Sequence, residues 1–172
     1  MIEGTLWKIL AFLLAVSLMF VAPMMVIYDR QEAITYTLAL SAVNEMTALS
    51  RELGFVNQNQ YHQLMDRLGA TGLTYDISLE HYKKVYIPVY DTLGTFTGDS
   101  YVSFEGVYNG DITDVIEGAG QYKMSTGDMF FLQVENRTPT PAQALRQMVW
   151  HRSSDARAII VRSGGMVHNE PD

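Results

Sequence analysis

The chain has 172 residues, no cysteine and a formal net charge of −7. Without cysteine it can form neither a disulfide framework nor a thiolate metal site. Its acidic balance disfavours nucleic acid as a partner, because binding to phosphates needs clustered cations. The length fits one domain with an N-terminal anchor better than two domains.

The anchor is a stretch without charge between Lys8 and Asp29, which reads ILAFLLAVSLMFVAPMMVIY. As a helix it spans about 30 Å, the thickness of the hydrocarbon core of a bilayer. We therefore predict a transmembrane helix over residues 9–28. A cleaved signal peptide is the alternative, with an apolar region of about 7–15 residues and a small-x-small cleavage site. Cleavage after Ser17, the best such site, would leave LMFVAPMMVIY on the mature protein, which favours the anchor.

The orientation follows from the unequal lengths of the two flanks. Lys8 and Arg30 nearly balance the count of positive charges on the two sides. We predict a short cytoplasmic tail over 1–8 and an extracytoplasmic α+β domain over 29–172. The protein is thus expected in the cell membrane, with a single pass, its C-terminal domain outside the cytoplasm and the lipid bilayer as a partner.

The helix is predicted to continue beyond the membrane as a stalk over residues 30–53. This stretch contains neither glycine nor proline, and Gly54 follows as a stop signal. Pro23 is expected to kink the helix inside the membrane. Apolar residues at steps of three or four draw one stripe, which faces either the domain's own core or a neighbouring subunit. They are Ile34, Leu38, Ala42, Met46, Leu49 and Leu53.

The first elements after the stalk are a short helix and a sheet. A helix is predicted over 57–68, followed by a strand over 73–82 in which Tyr75, Ile77 and Leu79 share one face. Residues 85–90 extend this strand or pair with it. A polar loop over 93–100 then leads to a strand over 101–108.

The last part alternates between helices and strands. A helix is predicted over 111–118 with Asp111 as its N-cap, a strand over 129–136 and a helix from Thr138 to Trp150. Residues 158–161 and 166–168 are predicted to form a hairpin around Ser-Gly-Gly. The fold class is α+β: a transmembrane helix that continues into a long amphipathic helix packed on a small, mainly antiparallel sheet with short helices.

The polar residues give no catalytic, cofactor-binding or metal-binding pattern, so we expect no cofactor and no enzyme. The histidines have no helical metal spacing and are expected on the polar surface: His62, His81, His151 and His168. The acidic run lacks the pattern of a calcium loop: Asp99, Asp111, Asp114 and Glu117. The late arginines could pair with acids of the same domain or of a neighbouring copy: Arg137, Arg146, Arg152, Arg157 and Arg162.

Two stretches and the layout of the whole chain carry a family resemblance. The stretches are YDRQEAITYTLALSAVNEMTALSRELG, from Tyr28 to Gly54, and the closing GGMVHNE. They resemble pilins and pilin-like proteins, including the Tad-type (TadE-like) pilus assembly proteins of Gram-positive bacteria. The resemblance implies that the long helix anchors the subunit in the membrane and later packs against the helices of other subunits.

The resemblance also indicates the kind of subunit. Type IV prepilins have a glutamate five residues after the glycine of the processing site, whereas here Ile9 follows Gly4 at that distance. The expected function is therefore a minor subunit or assembly component of a type IV/Tad-like pilus or secretion machine. Its expected partners are other pilin-like subunits, or itself, through the N-terminal helix. The alternative is a membrane-anchored extracytoplasmic binding or sensory domain.

Overall fold

A computed structural model describes residues 2–150 and 159–171. Its first element, the helix α1 (Ile2–Leu53), runs without interruption through Pro23 and is 52 residues long. The helix is followed by Gly54, whose φ of 73° lies in the left-handed region that favours glycine. The N-terminal part of α1 is long and apolar enough to cross a membrane, and no residue from 4 to 28 is buried. The chain is therefore compatible with a single-pass membrane protein.

The other elements follow α1 in chain order and make the fold α+β, as predicted. They are β1 (Phe55–Asn57), α2 (Gln58–Gly69), β2 (Tyr75–Tyr90), β3 (Phe96–Tyr108), α3 (Asn109–Ala119), β4 (Gln121–Lys123), β5 (Met129–Asn136), α4 (Pro141–Trp150) and β6 (Ile160–Met166). The small sheets β1-β4 and β3-β2-β5-β6 are both antiparallel.

The long strand β2 is the centre of the four-stranded sheet. Its first half pairs with β5, from Tyr75 opposite Asn136 to Tyr82 opposite Met129. Its second half pairs with β3 as far as Tyr90. Beyond Tyr82, β3 is therefore the only strand that pairs with β2 in the described part of the chain, and the two strands continue as a ribbon.

The core lies between the sheet and the C-terminal half of α1. Alternation along β5 places Phe130, Leu132 and Val134 on the buried face, and α1 contacts β5 and β6 directly. Burying one such side chain contributes about 1.5–3 kcal/mol to stability. The sheet thus fixes the C-terminal half of α1 to the domain.

Two predicted boundaries around β3 and α3 are wrong. The predicted loop over 93–100 is too long, because β3 already begins at Phe96; the carboxylate of Asp91 closes a tight turn by accepting bonds from the N–H groups of Leu93 and Thr95. Asp111 is not an N-cap, since α3 begins two residues earlier and Asp111 lies in its first turn, where the helix dipole favours an acid.

The predicted C-terminal hairpin is also wrong. Strand β6 runs straight through Gly164 and pairs with β5 along its whole length. A Cβ atom on Gly164 would lie 2.2 Å from Cδ1 of Phe131, so the missing side chain makes room for a neighbour instead of a turn. Ala158, where the predicted hairpin begins, lies outside the described residues.

Candidate assembly surface

Small side chains mediate the packing of α1 on the domain. The fully or almost fully buried residues of this helix follow helical spacing and are Thr35, Ala39, Ala42, Val43, Met46, Thr47 and Ser50. Short side chains let a helix approach a sheet closely, so contact with the sheet selects them. The sequence prediction followed the large apolar residues, which is why most of these positions were missed.

The structure divides the predicted stripe of six residues into three parts. In its middle, Ala42 and Met46 are buried in the core of the same chain. At its lower end, which is farther from the predicted transmembrane segment, Leu49 and Leu53 are partly exposed. The upper residues of the stripe, nearer that segment, are the most exposed, Ile34 at 61% and Leu38 at 55%.

The helix α2 covers the middle of the stripe from outside. Arg67 of α2 forms an ion pair with Glu45 of α1, and its Nη2 donates a second bond of 3.0 Å to the same carboxylate. This pairing lowers the pKa of Glu45, chiefly through the hydrogen bond. The cavity of about 20 Å³ between the two helices has room for about one water molecule. A neighbouring subunit therefore cannot reach Ala42 or Met46 without displacing α2.

The upper part of the stripe forms an open groove. It lies between two rows of side chains four residues apart, Ala33 with Thr37 and Ile34 with Leu38. We call these four residues the stalk face. Grooves between such rows accept the side chains of a second helix. Ile27 is also exposed and lies within about 20° of Ile34 around the helix. The kink at Pro23 stays a prediction.

The late arginines that the structure describes pair with acids of their own domain. Arg137 lies 2.9 Å from Asp76, and Arg162 lies 2.8 Å from Glu80. Arg146 lies 2.5 Å from Asp29, the first charged residue after the apolar stretch. Exposed pairs of this kind contribute at most about 1 kcal/mol each. Arg152 and Arg157 lie outside the described residues.

One histidine is not on the polar surface, contrary to expectation. His81 is fully buried, whereas His62 and His168 are exposed and His151 lies outside the described residues. His81 continues the alternation of Ile77 and Leu79 along β2. This alternation could have predicted that His81 is buried, but histidine is a polar residue and was therefore expected on the surface.

The ring of His81 is saturated by two buried partners. Its Nε2 lies 2.9 Å from Oδ2 of Asp128, and its Nδ1 lies 2.7 Å from the hydroxyl of Tyr122. A neutral ring satisfies both contacts if Nε2 donates and Nδ1 accepts. Burial lowers the pKa of His81 more than Asp128 raises it, and burial raises the pKa of Tyr122 to about 12.

Backbone groups complete this network. The carboxylate of Asp128 also accepts bonds from the N–H groups of Lys84 and Ser125, at 2.8 Å and 2.9 Å. The network therefore joins β2, β4 and the turn before β5. The ring is closed to solvent in this conformation, and its hydrogen bonds tie these elements together. Over residues 2–150 and 159–171, no group of three or more acids and histidines is placed to hold a metal ion.

The outer face of the sheet carries a row of aromatic residues that the sequence analysis did not single out. Tyr82 packs edge-to-face against Tyr108 and Phe131, with ring centres 6.5 Å and 6.0 Å apart. Further along the ribbon, Tyr86 and Phe104 are exposed. The alternation of aromatic residues on both strands is the signal that could have revealed this face.

Comparison with known proteins identifies no relative of this chain. No family model, curated protein or solved structure matches the chain.

Proposed function

We propose that the protein is a membrane-anchored, pilin-like minor subunit or assembly component of a type IV/Tad-like pilus or secretion machine. It acts by packing helices and domains and not by catalysis. One observation carries the proposal. The same uninterrupted helix has an exposed apolar half, a half buried in the domain, and an open apolar groove between them.

The continuity of α1 links membrane anchoring to the position of the domain. The buried face from Thr35 to Ser50 holds the helix on the sheet, and no residue from 4 to 28 takes part in the core. A partner that packs against the helix above the domain therefore also sets the orientation of the sheet. This coupling is what an assembly subunit requires.

The stalk face supplies a surface for such a partner. Ile34 and Leu38 are exposed to water just beyond the predicted membrane boundary, where covering apolar area contributes about 25 cal/mol per Å². Ala33 and Thr37 beside them are small enough to let a second helix approach closely. The acidic charge near this level, on Asp29 and Glu32, is turned toward α4 and away from the groove.

Photo-crosslinking in membranes tests this proposal. A benzoylphenylalanine at Ile34 or Leu38 should capture a second copy of the chain or another membrane protein. Tyr36 is the matched control, because it is also exposed but lies about 160° around the helix from both positions. Adducts at Tyr36 as abundant as those at Ile34 and Leu38, or protein adducts at none of the three, would contradict the assembly role.

The aromatic outer face favours one second candidate, an anchored extracytoplasmic binding domain. Tyr86 and Phe104 are exposed and sit on a two-stranded ribbon away from the core. The two functions separate experimentally. The measurement is whether each variant restores the phenotype of cells that lack the protein. If binding is the function, replacing Tyr86 and Phe104 by alanine abolishes this complementation, whereas replacing Ile34 and Leu38 by alanine leaves it intact.

A further inference from the structure

The helix α4 is held against the upper part of α1 by three polar contacts. The hydroxyl of Thr140 donates to Oε2 of Glu32 at 2.7 Å. Arg146 lies 2.5 Å from Asp29 and 3.9 Å from Glu32. Thr140, just before α4, thus pairs with Glu32, and Arg146, further along α4, pairs with Asp29, which lies earlier in α1. The helix α4 therefore runs antiparallel to α1, toward the apolar stretch.

The start of α4 is fixed in the domain. Thr140 and Gln143 exchange hydrogen bonds in a capping box, in which each side chain bonds the backbone N–H of the other residue. Thr140, Ala142 and Gln143 are all buried. The direction in which α4 points is thus set by its buried end.

The other end of α4 is apolar and exposed. Met148 is 75% exposed and Val149 is 42% exposed. They lie two and three residues beyond Arg146, which adds about 3–5 Å along the helix axis. Because Arg146 contacts the first charged residue after the apolar stretch, Met148 and Val149 lie at the level where that stretch ends.

We infer that the C-terminal end of α4 inserts Met148 and Val149 into the bilayer interface beside α1, giving the domain a second contact with lipid. The inference rests on the proposed anchoring of α1 in the membrane. Apolar helix faces that lie in the interface occupy the boundary of headgroups and acyl chains, and the end of the apolar stretch of α1 marks this level on the protein. Attachment at two points limits the tilt of the domain and leaves the stalk face, on another side of α1, free for a neighbouring helix.

Fluorescence of the full-length chain in vesicles tests the inference. The natural chain has no cysteine, so Met148→Cys introduces a single site for an environment-sensitive label. Leu93→Cys is the matched control, because Leu93 is 88% exposed and lies in the turn between β2 and β3. Phe12→Cys reports on the anchor itself. The vesicles contain phosphatidylcholine and phosphatidylglycerol with nitroxide-labelled acyl chains.

We expect the emission of the label at position 148 to shift to shorter wavelength when vesicles are added. A nitroxide near the headgroup end of the acyl chain should quench most of this emission. The label at position 93 should show neither the shift nor the quenching. Adding Arg146→Gln should restore part of the Met148 emission, since it releases α4 from Asp29. A Met148 label that behaves like the Leu93 label would overturn the inference, as would a blue shift without nitroxide quenching, which indicates cover by a second copy. Failure of the Phe12 label to be quenched by a deep nitroxide would instead refute the anchor.

Discussion

Arg51, in the last turn of α1, donates a hydrogen bond of 2.8 Å from Nε to the carbonyl oxygen of Met166 in β6. The segment after β6 returns the contact, because the N–H of His168 donates to the carbonyl of Arg51 and Nδ2 of Asn169 donates to that of Glu52. The last carbonyls of a helix have no partner within the helix. The C-terminal segment satisfies two of them and thereby locks the end of the stalk to the sheet.

Gly54 at this junction should not tolerate a side chain. A Cβ atom there would lie 2.3 Å from the carbonyl oxygen of Asn169, and φ is 73°. Gly72 is the matched control, since its φ is 75° and a Cβ atom would meet nothing within 4 Å. We expect Gly72→Ala to lower the free energy of unfolding by about 1–2 kcal/mol, and Gly54→Ala by about 1–3 kcal/mol more, in urea titrations followed by circular dichroism. Equal losses would show that the C-terminal segment does not pack against Gly54.

Acidification should destabilise the domain through His81. Its pKa is lowered in the folded state, mainly by burial, so the unfolded state binds more protons below the ordinary histidine pKa of about 6.5. The stabilising contribution is complete above that pH and is lost as the pH falls toward the folded pKa. The slope contributed by one proton is at most about 1.4 kcal/mol per pH unit.

The slope is measured from urea titrations between pH 7 and pH 5. Compared with the natural chain, His81→Gln should flatten the dependence of the free energy of unfolding on pH. If His81→Gln does not fold, Tyr122→Phe serves instead. This substitution removes the hydroxyl that lies 2.7 Å from Nδ1 of His81 and should change the slope of the free energy of unfolding against pH. An unchanged slope would mean that the titration does not depend on this network.

Deleting residues 1–28 should give a soluble, folded domain. None of the residues 4–28 is buried, and the buried face of α1 begins at Thr35, so over residues 4–28 the deletion removes no buried side chain. Far-ultraviolet circular dichroism should retain the helical and strand signals, and analytical centrifugation should show no large aggregates. Aggregation of this fragment would mean that residues 1–28 cover apolar surface of the domain.

How far the sequence could predict this structure depended on the strength of its periodicity. The strand over 129–136 was predicted with the observed limits because the apolar residues Phe130, Leu132 and Val134 recur at every second position and are buried. Strands β1 and β4 have three residues each, which is too short to show any period. Pairing across the chain, which no local pattern encodes, creates them.

The candidate surface was predicted only in part, for a related reason. A stripe of large apolar residues shows which side of a helix is hydrophobic. Close packing of a helix on a sheet instead selects small side chains such as Ala39 and Ser50. Which part stays open depends on α2 and α4, whose positions depend on contacts such as Arg67 with Glu45 and Arg146 with Asp29. Such contacts join residues far apart in the sequence.

The central claim is that α1 crosses the membrane and holds the domain outside the cytoplasm. Its most direct test is thiol labelling of intact cells with a membrane-impermeant maleimide. Leu93→Cys in the exposed turn should be labelled in intact cells, and Gly4→Cys only after lysis, with both chains in the membrane fraction. The opposite labelling pattern, or a mature chain that starts after Ser17 and appears in the soluble fraction, would contradict the claim.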